Sequence, residues 1–125
     1  MELGVTTNHD REVIDITDQV QELVDSKAKA VNVFVMHTTC AVATADLDPG
    51  QDKDLLDAIW KMIPELEYRY PHNPEHVPAH LASSIIGPNV IVPVEDGKLV
   101  LGTWQRIILV ELDGPRERNL IVTNL

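Results

Sequence analysis

Seven residues constrain this chain most. Val31-Asn32-Val33-Phe34-Val35-Met36-His37 is rich in β-branched residues and apolar on both faces, so it reads as a central strand covered on two sides. Such a strand needs paired neighbours and a packing layer above and below it. Residues 3–8 and 12–16 alternate loosely around His9-Asp10-Arg11, which predicts a first hairpin. Thr17 suits a helix N-cap, Asp18 suits the first turn, and Val20, Leu23, Val24 and Ala28 follow at helical spacing, predicting a helix over 18–28.

Residues 41–45 read as a further strand. A second helix starts with Asp48 as cap and Pro49 as first helical residue, carries the stripe Leu55, Leu56, Ile59, Met62 and Ile63, and ends at Pro64. Residues 65–78 hold Pro71, Pro74 and Pro78 with His72 and His76, a structured loop. A short helix over 78–86 is stopped by Gly87-Pro88. Residues 90–94 and 99–101 flank Asp96-Gly97, a hairpin turn. Residues 102–112 read as one long strand, and Asp113-Gly114-Pro115 turns it into 117–123. The order predicts one α+β domain over 1–125, a mostly antiparallel sheet packed with helices.

A chain of 125 residues with 44% apolar content can hold a core without a disulfide or structural metal. The single Cys40 fits a reducing compartment, and no apolar run or basic leader points to a membrane or to export, so a cytoplasmic location is expected. The net charge of −10 argues against nucleic-acid binding. The charge is uneven: residues 1–97 carry −11, whereas residues 98–125 carry +1. An anionic ligand is therefore expected near Lys98, Arg106, Arg116 and Arg118.

His72, His76 and His80 recur every four residues, but Pro74 and Pro78 break any continuous helix through them. His37 ends the central strand at its rim. Three imidazoles with one open position would be a catalytic metal geometry, although dispersed surface histidines produce the same spacing. Asp54 lies beside an apolar stripe and suits the orientation of a histidine or a divalent ion, whereas Asp48 is accounted for as a cap. On the long strand Gln105, Ile107, Leu109 and Glu111 share one face, with Trp104, Arg106, Ile108 and Val110 on the other. A Gln and a Glu on an apolar face need partners or a use. A fully buried Trp104 would lose roughly 3–5 kcal/mol on Trp104→Ala. Thr38-Thr39-Cys40 offers hydroxyls for hydrogen bonds or simply a turn.

Several stretches together carry a resemblance: His37-Thr38-Thr39-Cys40-Ala41, Asp48-Pro49 with Asp54, His72-Asn73, Ala79-His80-Leu81, Ile86-Gly87-Pro88, Leu101-Gly102-Thr103-Trp104-Gln105 and Glu111-Leu112-Asp113-Gly114-Pro115-Arg116. In order and spacing they resemble the YjbQ-like family, also described as secondary thiamine-phosphate synthases. The resemblance implies a homotrimer with a histidine-lined, metal-holding pocket. It also implies a transferase activity joining a pyrimidine diphosphate to a thiazole phosphate with release of diphosphate. By position it implies His37, His72 and His80 as metal or acid–base histidines and Asp54 as an orienting acid. Gln105 and Glu111 become pocket residues, and Arg116 an anion-binding residue. The chain departs from the family in having Ala45-Asp46 where Asn-Glu is common, and His76 where Asn is common.

Three functions follow as expectations. The first is the synthase, with Asp46, Asp54, Gln105 and Glu111 catalytic and Thr39, Arg116 and Arg118 holding a small phosphorylated metabolite. In it, zinc or magnesium is the divalent cofactor. The second is a metal-dependent hydrolase with Asp46 or Glu111 as base. The third is a non-catalytic trimer that binds a metabolite or a metal.

Overall fold

A computed structural model of the chain describes residues 1–69 and 74–125. The elements follow in the order β1 (Glu2–Thr6), β2 (Glu12–Asp15), α1 (Thr17–Glu22), β3 (Ala30–Val35), β4 (Cys40–Ala45), α2 (Gln51–Met62), a 3-10 turn (Pro74–His76), α3 (Val77–Ile86), β5 (Asn89–Glu95), β6 (Lys98–Leu99), β7 (Arg106–Glu111) and β8 (Glu117–Asn124). One sheet has the order β1-β8-β3-β5-β6, the other β2-β7-β4, and every pairing is antiparallel. The expected α+β class holds, with the strands divided between two sheets.

The layers follow from which apolar side chains face which way. Val31, Val33, Val35, Val92, Leu120 and Val122 of the first sheet meet Val42, Ile107 and Leu109 of the second, with Ile16 and Val20 closing one side. On the far face of the second sheet, Ala41, Ile108 and Val110 pack against Ile59 of α2 and Ala79 and Ala82 of α3. β7 therefore has Ile107 and Leu109 in one core and Ile108 and Val110 in the other, all four fully buried. Truncating Ile107, Ile108 or Leu109 to alanine costs about 2–5 kcal/mol.

β3 differs from β7 in this respect. Its valines are buried, but Phe34 is 39% exposed and Met36 44%, so this chain by itself covers one face of β3 only. Ile91 and Ile121, opposite Asn32 and Phe34, continue that outer apolar surface.

Local signals were overridden at four places. β1 and β2 form no hairpin: β1 pairs with β8, and β2 with β7 in the other sheet. The first helix stops at Glu22, because Asn124 takes over the chain beyond it: its side chain donates to the Leu23 carbonyl (3.0 Å) and accepts from the Asp25 amide (2.8 Å). Thr17 is not the cap; its hydroxyl donates to Asp15 (2.6 Å) and accepts from the Ile107 amide (2.9 Å), tying the helix start to β7. α2 starts two residues late, from Gly50 at φ 90°, while Asp48 closes a small turn with Asp46; Met62 is exposed.

The fourth place is the long strand over 102–112, which is broken. Gln105 folds back on Gly102, its amide donating to the Gly102 carbonyl (3.1 Å) and its side-chain oxygen accepting from the Gly102 amide (3.0 Å). β7 begins only at Arg106, and Trp104 at the turn is 70% exposed, so the condition for a large stability loss there is not met. Other expectations hold. Asp96 (φ 51°) and Gly97 (φ 76°) form a two-residue turn joining Glu95 to Lys98, as Asp-Gly chemistry demands. Gly87 at φ 110° ends α3.

Candidate functional site

Three chain segments converge at one end of the two sheets. β3 runs out into His37, β4 starts at Thr39–Cys40, and the Asp113–Arg116 turn carries the chain from β7 into β8. The start of α3 adds His76 and His80. Together they line a cavity of about 700 Å³ whose walls include His37, Thr39, His76, His80, Arg116 and Arg118, with Asp113 and Glu117 as its acids. Gly114 makes the crossing possible, since a Cβ there would collide with the His9 carbonyl oxygen and lie 2.9 Å from both Glu111 and Thr7.

Arg118 and Glu111 form the floor. Arg118 Nε donates to Glu111 Oε1 (2.9 Å) and its Nη2 to Oε2, and Nη2 also donates to the Thr39 hydroxyl (2.9 Å) and carbonyl (3.1 Å). Glu111 further accepts from the Thr7 hydroxyl (2.7 Å) and the Leu112 (3.0 Å) and Asp113 (3.3 Å) amides. Burial alone would raise the Glu111 carboxyl, but the Arg118 guanidinium, the Thr7 hydroxyl and the Asp113 amide hold it below its ordinary value. Glu111 is thus a committed carboxylate with every oxygen engaged, poorly suited to accept a proton.

At the rim, Asp113 accepts from His76 Nδ1 (2.9 Å) and from Arg116 (3.2 Å). His80 Nδ1 donates to the Thr38 carbonyl (3.1 Å). His37 Nε2 accepts the Asn119 amide (2.9 Å), and burial, with Arg118 and Arg116 nearby, lowers the pKa of its imidazole against the opposing pull of Glu111. Cys40 lies behind this floor; burial pushes its thiol up to about 12 despite the nearby Arg118.

The residues expected from sequence thus separate. His37, His80, Thr39, Arg116 and Arg118 come together, with Glu111 directly behind them. Asp46 and Gln105 lie at the other end of β4 and β7: the register runs from Cys40↔Glu111 to Ala45↔Arg106, about 17 Å of strand. Gln105 there donates to the Thr44 hydroxyl (3.0 Å), and Asp46 borders a smaller cleft with Trp104 and Arg106. Asp54 stands exposed on the first turn of α2. His72 lies outside the described residues. His76, which the sequence offered as an added ligand beside His72 and His80, lines the site, and so does Asp113, which opens the Asp-Gly-Pro-Arg motif and had been given no role.

The family resemblance implies a divalent metal, and two of the pocket's imidazoles have the chemistry to bind one. His76 and His80 each tie Nδ1 to an oxygen, the outer contact that accompanies imidazole ligands. His37 has Nε2 turned to a backbone amide instead. Among the described residues no three His, Cys, Asp or Glu side chains are grouped to hold an ion.

A family model described as UPF0047 protein YjbQ-like matches residues 1–125. A UPF0047 protein of Archaeoglobus fulgidus is 43% identical over the full length of both chains. UPF0047 protein YugU of Bacillus subtilis is 35% identical, covering 96% of this chain and 94% of its own. The crystal structure of a YbjQ-like protein of unknown function from Sulfolobus solfataricus superposes with a TM-score of 0.90 at 37% identity, over 98% of this chain and 92% of that one. A conserved hypothetical protein from Thermus thermophilus gives a TM-score of 0.90 at 32% identity, over 100% and 99%. Among the described residues no helix is long and apolar enough to cross a membrane.

Proposed function

We propose, for a chain that belongs to the UPF0047 YjbQ-like family, that the histidine- and arginine-lined cavity takes the phosphate end of a small phosphorylated metabolite. One observation carries this reading: a half-exposed guanidinium, Arg116, lines the cavity above the buried Arg118–Glu111 pair. Three imidazoles, His37, His76 and His80, join it in the same walls. In a chain of net charge −10, such a local concentration of donors favours an anion.

The reaction that suits it is thiamine-phosphate synthase-like. A bond forms between the thiazole ring nitrogen and the methylene carbon of the pyrimidine diphosphate; the carbon–oxygen bond to diphosphate breaks, and the diphosphate leaves with the electron pair. Arg116 offsets charge that collects on the departing group. A divalent metal, zinc or magnesium, would be held by His76 and His80 and would neutralise phosphate oxygens when bound.

A second reading is a non-catalytic trimer that binds such a metabolite. It is favoured by Glu111 and Asp113, the acids at the pocket, being already engaged by Arg118 and by Arg116 with His76. It is favoured also by the exposed Phe34, Met36 and Ile91, an apolar surface that a second copy of the chain would cover.

Calorimetry with inorganic diphosphate tests the pocket, and incubation with the pyrimidine diphosphate and thiazole phosphate in magnesium tests the reaction. Binding that is lost in an Arg116→Ala, His80→Ala double variant is expected. Thiamine phosphate formed above the rate of the double variant supports the synthase. Binding without product leaves the non-catalytic trimer, and no binding removes both.

A further inference from the structure

We infer that His37 is held as its Nδ1–H tautomer and serves the pocket as an uncharged hydrogen-bond donor to a deprotonated oxyanion, neither ligating a metal nor taking up a second proton. The inference rests on the anion-binding reading of the same cavity and specifies which chemical end of the ligand enters it.

The argument begins in strand register. β3 and β8 pair as far as Val35↔Leu120, and the Met36 amide then donates to the Asn119 carbonyl at 3.2 Å. Beyond that point β3 has ended, and the imidazole of His37 occupies the place of the next acceptor. Its Nε2 takes the Asn119 amide at 2.9 Å. A backbone N–H only donates, so Nε2 must present a lone pair. A neutral imidazole has one N–H, and here it can only sit on Nδ1.

Nδ1 has no hydrogen-bond partner among the described residues, yet the one buried side-chain polar atom without a partner there is Trp60 Nε1. Nδ1 is therefore not sealed, and His37 lines the cavity. An N–H fixed by the sheet edge, with Arg118 and Arg116 nearby, disfavours a cation and donates to a ligand oxygen. The neighbouring guanidiniums favour an oxygen that is already deprotonated, a phosphate or a carboxylate.

The test uses the full chain labelled with ¹⁵N-histidine. Long-range ¹H–¹⁵N spectra should show His37, assigned by its disappearance in His37→Gln, with Nδ1 protonated and Nε2 not. Zinc should leave that pattern unchanged, and inorganic phosphate should shift Nδ1. Acetate distinguishes a phosphate end from a carboxylate end. His37→Gln, whose amide can both accept from Asn119 and donate to the ligand, should bind phosphate within about threefold of the parent. His37→Leu should bind about tenfold more weakly, the loss expected of one hydrogen bond to a charged group. Protonated Nε2, a zinc-induced shift there, or a Gln variant as weak as the Leu variant overturns the donor role while the pocket still binds anions. A parent chain that shows the expected tautomer but binds neither phosphate nor acetate overturns the anion reading, and the donor role with it.

Discussion

Arg118 and Glu111 belong to different sheets and clasp each other across the turn that joins them. Arg118 Nε donates to Glu111 Oε1 at 2.9 Å and Nη2 to Oε2, with both side chains closed off from water. The pair sets the distance between β7 and β8 at the pocket floor. Through the Thr39 contacts it also fixes the loop between β3 and β4.

Removing one partner strands the other charge. Glu111→Gln is expected to destabilise the chain by about 3–5 kcal/mol in urea denaturation, whereas Glu111→Leu with Arg118→Met should lose less than either single change. A loss below about 1 kcal/mol for the single variant would mean that the buried guanidinium finds water.

The same pair sets acid stability. Glu111 binds its proton less readily in the folded chain than in the unfolded one, whose carboxyl lies near 4.5. Its stabilisation is therefore complete above that value and lost as pH falls through the lower folded one. Denaturation midpoints measured from pH 7 downward should fall more steeply in the parent than in Glu111→Gln. Parallel curves would assign the acid sensitivity to other carboxyls.

Trp104→Ala should change stability by no more than about 0.5 kcal/mol, because the side chain is 70% exposed on a turn. A melting temperature several degrees lower would show that Trp104 is covered in solution by something outside a single chain.

Light scattering at micromolar concentration should give three times the 13.9 kDa chain mass. Phe34→Glu should shift the species to a single chain without unfolding it, since Phe34 faces outward. A parent that weighs 13.9 kDa sinks the trimer.

Cys40 should not react with a thiol reagent at neutral pH until the chain unfolds, because its thiol is buried and raised to about 12. Labelling that keeps pace with a free thiol would place Cys40 in contact with the cavity.

Where periodicity and turn chemistry act alone, the sequence was a sound guide: the Asp96-Gly97 turn, the stop at Gly87 and the apolar stripe of α2, Met62 excepted, follow from neighbouring residues. It misled where distant partners decide. His9-Asp10-Arg11 looks like a hairpin turn, yet its flanking strands are claimed by β8 and β7 from the far end of the chain. The site divides the same way. A Glu in an apolar strand demanded a partner, and Arg118 was seven residues on, but only the crossing at Gly114 shows that the two meet. Asp46 and Gln105 resembled pocket residues by motif. Strand geometry sends them to the opposite end of β4 and β7 from His37.

β7 buries Ile107 and Leu109 against the strand layer and Ile108 and Val110 against the helices. A bulkier side chain on either face of β7 presses on a backbone that both layers share. The layer that presents His37 and the layer that presents His80 are therefore mechanically joined through one strand, and strain introduced in one core reaches both walls of the pocket.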